Sequence, residues 1–69
     1  MSKEGRFLVY CIEAYKVAKG ATGRQVYSTF KKYGVIDYIK DYYESLHTVG
    51  GRYLINDLDR FIATVRAQA

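Results

Sequence analysis

The chain has 69 residues, of which 49% are hydrophobic and 26% charged, with a formal net charge of +4, one cysteine, one histidine and no proline. This length has room for one domain, residues 1–69, and the lone cysteine and histidine exclude an internal disulfide bond and a structural zinc site made by the chain alone. Stability must therefore come from apolar packing, to which eight tyrosines and three phenylalanines contribute, or from self-association as a homodimer.

The first half of the chain predicts two helices. Apolar residues spaced by three and four over residues 6–19 predict helix one, and their shared stripe contains Leu8, Cys11, Ile12, Tyr15 and Ala18. Gly20 is a stop signal, and a threonine three residues before a glutamine predicts a capping box that starts helix two at residues 23–33. We expect its buried side to hold Val26, Tyr27 and Phe30, and Gly34 to end it in the left-handed conformation.

The second half predicts two more helices and a short connector. Residues 36–47 repeat the helical spacing and are followed by Thr48-Val49-Gly50-Gly51, which we interpret as a flexible joint. Residues 52–55 favour β-structure and predict an extended connector or a single edge strand. Asn56 then caps helix four, whose inner face holds Leu58, Phe61, Ile62 and Val65 and whose end, residues 67–69, frays. The sequence therefore predicts an all-α fold, a compact bundle of four short helices made of a three-helix core and a C-terminal helix.

The charge is unevenly distributed along the chain. Residues 1–34 contain seven positive and two negative side chains, whereas residues 35–69 contain four positive and five negative ones. A basic first half is typical of a face for nucleic acid or an acidic protein, although it also serves plain solubility. Because no apolar run reaches the length of a membrane span or a signal peptide, we expect a cytoplasmic protein that has no membrane contact.

No side chain points to catalysis or to a cofactor. Cys11 shares the apolar stripe of helix one, where a thiol behaves as a small hydrophobe, and His47 lies where a helix C-terminus favours a histidine. The acidic set of Asp37, Asp41 and Glu44 surrounds Lys40 and is typical of a solvated helix face. The glycine-rich residues 20–24 follow a helix and lack a phosphate-loop ending, so they predict a turn and cap. We expect no enzyme, no cofactor and no metal site.

Helix two is a candidate recognition helix for DNA. With its apolar side turned inward, it presents polar side chains that can contact bases and phosphates. These candidate nucleic-acid-binding residues are Arg24, Gln25, Ser28, Lys31 and Lys32. Helix three, the alternative helix that could contact DNA, has a net negative charge and would repel phosphate.

Tyrosine is the second indication of function. Eight tyrosines exceed what so small a core can bury with their hydroxyl groups hydrogen-bonded, and surface tyrosine is enriched in protein interfaces. Tyr38, Tyr42 and Tyr53 are the candidate protein-binding residues, although each ring is equally suited to packing at the edge of the core.

Five segments carry a family resemblance: FLVYCIE (residues 7–13), FKKYGV (30–35), LHT (46–48), YLI (53–55) and DLD (57–59). In order and spacing they resemble a family of short bacterial proteins catalogued as domain of unknown function number three-seven-nine-one. The resemblance implies a protein encoded near a gene for an uncharacterised protein that resembles ADP-ribosyltransferases. It therefore favours an antitoxin-like or accessory protein-binding module, with a helix-turn-helix-like DNA-binding regulator as the alternative.

Overall fold

The computed structural model describes residues 1–68, in which five α-helices and no strand are found. They are α1 (Lys3–Lys19), α2 (Gly23–Lys32), α3 (Val35–Asp41), α4 (Tyr43–Leu46) and α5 (Gly51–Gln68). The predicted all-α class is confirmed, and four of the five helices have at least seven residues. Ala69, the last residue of the predicted frayed end, lies outside the described residues, and α5 continues as a helix to Gln68.

Local capping signals position the first two helices. Ser2 begins α1 by accepting a hydrogen bond from the Gly5 amide at 3.0 Å, so the helix starts three residues earlier than predicted. Gly20 ends it with a left-handed φ of 62°. The predicted capping box is present, because Thr22 Oγ1 accepts from the Gln25 amide at 3.1 Å and Gln25 Oε1 accepts from the Thr22 amide at 2.9 Å.

The predicted third helix is divided in two. Tyr42, with φ −109° and ψ 24°, leaves the helical conformation and separates α3 from the single turn of α4. The break follows Ile39, which is fully buried, and it precedes Leu46, which is 6% exposed. Both side chains remain in the core on either side of the break.

The prediction of an extended connector at residues 52–55 is wrong. These residues form the first turns of α5, and Gly51 is helical rather than part of a flexible joint. Leu54 is 1% exposed and continues the core stripe of Leu58 and Ile62 at a spacing of four, so burial overrides the local β-preference. Asn56 consequently lies inside the helix rather than at its N-cap.

Nine side chains form one buried cluster to which every helix contributes. The cluster consists of Cys11, Val26, Phe30, Val35, Ile39, Leu46, Leu54, Leu58 and Ile62. Helix α1 packs against α2, α3 and α5, and α3 packs against α2 and α5. The expected burial of Tyr27 is wrong, because its side chain is 48% exposed while Val26 and Phe30 fill the interior.

Candidate protein-binding groove

A groove lies between the outer side of α1 and the first turns of α5. Its wall on α1 comes from Tyr10, Glu13, Ala14, Val17 and Ala18, and its wall on α5 comes from Gly51, Arg52, Ile55 and Asn56. The residues of α1 follow one another at spacings of three, one, three and one, so they share one side of the helix. This side adjoins the stripe through Cys11 that faces the core, and Ala18 lies between the two.

The groove is large and mostly apolar. It has a volume of about 630 Å³ and is open to solvent. Val17 is 77% exposed and Tyr10 is 51% exposed, although both are large hydrophobic side chains. Small residues bring the two walls close together, because a Cβ atom placed on Gly51 would lie 3.6 Å from the Tyr10 hydroxyl oxygen. Val17 and Tyr10 therefore border a concave surface that no described residue covers.

The edge of the groove carries one acid and one base. Glu13 pairs with Lys16 on the same helix at 3.2 Å, between side chains that are both at least one third exposed. Arg52 has no carboxylate within ion-pair distance among residues 1–68. The edge can therefore contribute an arginine to a partner carboxylate without first breaking an internal ion pair.

Two tyrosine–aspartate hydrogen bonds fix the position of α5. The Tyr15 hydroxyl donates to Asp59 Oδ1 at 2.5 Å, and Lys19 Nζ lies 2.7 Å from Asp59 Oδ2. On the other side of α5, the Tyr38 hydroxyl donates to Asp57 Oδ2 at 2.6 Å. Burial, followed by the bond to the aspartate, raises the pKa of Tyr15, and the same causes raise the pKa of Tyr38 to about 12. The two aspartates therefore connect α5 to α1 and α3.

The three predicted protein-binding tyrosines differ in their surroundings. Tyr38 is partly buried and stacks on Phe61 with ring centroids 4.1 Å apart, so it contributes to internal packing. Tyr42 lies 5.1 Å from the Tyr38 ring and is 55% exposed. Tyr53 is 71% exposed and lines a second, more polar pocket of about 350 Å³ together with Asp57, the partner of Tyr38. Of these three tyrosines, Tyr42 and Tyr53 are the two that are more than half exposed.

The two concave surfaces meet on α5. Asn56 lines both the groove and the second pocket, which also contains Tyr53 and Arg60. A segment lying across the exposed side of α5 would therefore contact the groove and Tyr53 together.

All five predicted nucleic-acid-binding residues of α2 are exposed. The Gln25 side chain has a structural task as well, because its Oε1 atom caps the helix. Tyr27, which was expected in the core, is exposed on the same helix.

The predicted burial of Cys11 is confirmed, and His47 lies at the C-terminus of a helix, α4, as predicted. Cys11 is fully buried, and burial raises the pKa of its thiol to about 12. His47 is exposed, stacks on Tyr43 with centroids 4.4 Å apart, and its Nδ1 atom lies 2.8 Å from the Tyr43 carbonyl oxygen. A thiol in this environment is neither ionised near neutral pH nor accessible to a substrate.

The acidic residues of the third predicted helix are exposed, and Glu44 pairs with Lys3 at 3.5 Å. Within residues 1–68, no three histidine, cysteine or carboxylate side chains lie close enough together to hold a metal ion. None of the helices in that range combines the length and hydropathy needed to cross a membrane.

The sequence does not single out the groove residues, because the strongest apolar stripe of α1 runs through Cys11 on the core side. A second apolar spacing was visible at Tyr10, Ala14, Val17 and Ala18, and Ala18 had been assigned to the core, but it is exposed. The α5 side of the groove was hidden by the prediction of an extended connector.

Comparison with known proteins supports the family resemblance. The family model described as "Protein of unknown function (DUF3791)" matches residues 6–64. No curated protein and no solved structure matches the chain. The chain belongs to this family.

Proposed function

We propose that this member of the DUF3791 family is a non-enzymatic protein-binding module whose α1–α5 groove holds an apolar helix of a partner protein. The observation that carries the proposal is the exposure of Val17 and Tyr10 along an open, mostly apolar groove. Concave apolar surfaces with a few polar groups at the edge are typical binding sites.

The dimensions of the groove favour a short helix as its occupant. On α1 it runs from Tyr10 to Ala18, which corresponds to about 12 Å or roughly two helical turns. Ala14, Ala18 and Gly51 have little or no side chain, so a partner backbone can approach closely. An amphipathic helix laid between two helices buries its apolar side in this way. Its polar edge would place a carboxylate near Arg52.

The groove alone supplies only part of a stable interface. Complete burial of one valine-sized or larger apolar side chain contributes about 1.5–3 kcal/mol, whereas micromolar binding requires about 8 kcal/mol after all costs. We therefore expect the partner to extend across Asn56 onto Tyr53, whose ring offers additional apolar area. In this arrangement Tyr53 lies in the protein interface, which is the role proposed for it from the sequence.

The family resemblance supplies a candidate partner. It implies a neighbouring gene that encodes a protein resembling ADP-ribosyltransferases, and an antitoxin-like or accessory role follows if that protein holds the groove. The buried thiol of Cys11 and the separate, exposed His47 support a role in binding rather than catalysis.

The test is co-purification with the product of the adjacent gene, using a matched pair of valines on α1. Val17 lines the groove, whereas Val9 is 48% exposed on the same helix and does not line it. We expect Val17→Asp to weaken the complex at least tenfold by calorimetry and Val9→Asp to leave it within about twofold, because only the first places a charge in an apolar contact.

Light scattering tests whether a second copy of this chain, and not a different protein, occupies the groove. If the chain alone is a dimer that Val17→Asp converts to a monomer, the groove holds a second copy and the proposal of a separate partner is wrong. Equal binding by both valine variants would show that the partner docks elsewhere.

A further inference from the structure

The outward side of α2 combines an aromatic ring with positive charge. Arg24, Tyr27 and Lys31 follow one another at spacings of three and four, so they form one row on the helix, and Ser28 and Lys32 lie beside it. All of these side chains are exposed, and Tyr27 retains 48% of its accessible surface. Tyr27 borders the side on which Val26 and Phe30 hold α2 in the core, and Arg24 and Lys31 lie further from that side.

The charge of this row is not neutralised within the described chain. Each ion pair found in residues 1–68 uses a lysine of α1, namely Lys3, Lys16 or Lys19. Helix α2 contains Arg24, Lys31 and Lys32 but no acidic residue, and none of the three has a carboxylate within ion-pair distance in that range. The positive surplus of the first half is therefore concentrated on α2, where it is complementary to a polyanion.

We infer that this row binds single-stranded nucleic acid, with one base stacked on Tyr27 and the backbone phosphates held by Arg24, Lys31 and Lys32. Sequence-tolerant single-strand binding combines a basic track with aromatic rings on which bases stack. A tyrosine between an arginine and a lysine on one helix side provides both elements within two turns.

The contacts of α2 disfavour reading of duplex DNA by base edges. A glutamine recognises adenine through its carbonyl and amide groups together, but Gln25 Oε1 already accepts the Thr22 amide at 2.9 Å. The Tyr27 ring, at the edge of the exposed side next to the core stripe, offers a face for stacking and not a set of hydrogen-bonding groups for base edges. With Gln25 held in the cap, a duplex reader would depend on Arg24, Ser28, Lys31 and Lys32, and its three cations would have to hold the phosphates and contact base edges at once.

The experiment is fluorescence anisotropy with a labelled single-stranded thymidine oligonucleotide of about 12 nucleotides and a duplex of equal length, matched to the site size of small single-strand binders. Contacts to three phosphates predict a slope of about −2 for log K against log salt, so affinity should fall roughly 20-fold between 50 and 200 mM salt. We expect the single strand to bind more tightly than the duplex.

Variants separate stacking from charge. Tyr27→Ala should weaken single-strand binding about tenfold, and Tyr27→Phe should retain it, since the ring and not the hydroxyl group stacks. Val9→Ala is the matched control, because Val9 is 48% exposed, as Tyr27 is, but lies on α1 outside the groove. The double change Lys31→Glu and Lys32→Glu should abolish binding, and circular dichroism verifies that each variant is folded.

Three results would overturn the inference. They are unchanged binding by Tyr27→Ala, duplex binding as tight as single-strand binding, and displacement of the oligonucleotide by an equally charged glutamate peptide at the same concentration. These measurements do not involve Val17 or the groove, so their outcome is independent of the proposed protein-binding function.

Discussion

Replacing Asn56 with alanine tests whether residues 52–55 are helical. A capping role and a helix-interior role for Asn56 predict changes of opposite sign in the free energy of unfolding. If Asn56 capped a helix, as the sequence predicts, its loss would cost about 0.5–2 kcal/mol. In the structure Asn56 is an exposed residue in the interior of α5. Alanine has a higher helix propensity than asparagine, so we expect the free energy of unfolding to rise by about 0.5 kcal/mol.

Thr22 provides the matched control at a helix start. Its side chain accepts the Gln25 amide at 3.1 Å within a capping box. Thr22→Ala should therefore lower the free energy of unfolding by about 1 kcal/mol. Two substitutions to alanine at exposed polar residues are thus expected to change stability in opposite directions.

Urea unfolding followed by far-ultraviolet circular dichroism measures both changes. For a domain of this size the slope is about 1 kcal/mol per molar urea, so the midpoints should shift by about +0.5 M for Asn56→Ala and about −1 M for Thr22→Ala. A midpoint for Asn56→Ala that falls as far as that for Thr22→Ala would refute the helical assignment of residues 52–55.

Three further predictions follow from the core and from the tyrosine–aspartate bonds. Leu58→Ala should cost about 2–5 kcal/mol in urea unfolding because Leu58 is fully buried, whereas Tyr53→Ala should change stability by less than about 0.5 kcal/mol. The Cys11 thiol should react with a colorimetric disulfide reagent only after urea unfolds the chain; reaction at the rate of a free thiol in buffer alone would contradict its burial. Because the folded pKa of Tyr38 is about 12 and its ordinary value is 10.0, its contribution to stability is complete below pH 10 and is lost as the pH rises towards 12. Thermal unfolding midpoints should therefore fall less between pH 10 and 12 for Tyr38→Phe than for the original chain, while Tyr53→Phe should follow the original chain.

The helices that could be predicted are those in which local and tertiary signals agree. In α2, the capping box at Thr22, the buried pair Val26 and Phe30, and the left-handed Gly34 all indicate the same boundaries, and the structure contains each of them. Only the orientation of Tyr27 was wrong. Its angular position next to the core stripe permits either burial or exposure, and the interior is already filled by Phe30.

The errors occur where packing overrides a local preference. Residues 52–55 include a tyrosine, a leucine and an isoleucine after two glycines, which locally favours an extended chain, but the burial of Leu54 requires the helical spacing of α5. The sequence has no glycine or proline near Tyr42 that would predict the break between α3 and α4. The apolar spacing does not predict it either, because Ile39 and Leu46 are seven residues apart, as on one side of a continuous helix.

The candidate sites exist because the small interior of this domain does not bury every apolar side chain. Among residues 1–68, nine side chains are buried in the core, and one of them, Cys11, comes from α1. Other apolar residues of α1, such as Leu8 and Ile12, are partly covered on the core side, whereas Val17 remains exposed along α5. Apolar spacing can therefore show that α1 has more hydrophobic surface than one contact needs, but it cannot show which part stays open. The position of α5, held by Asp59 on Tyr15 and Lys19, decides that the open part is a groove and not a packed interface.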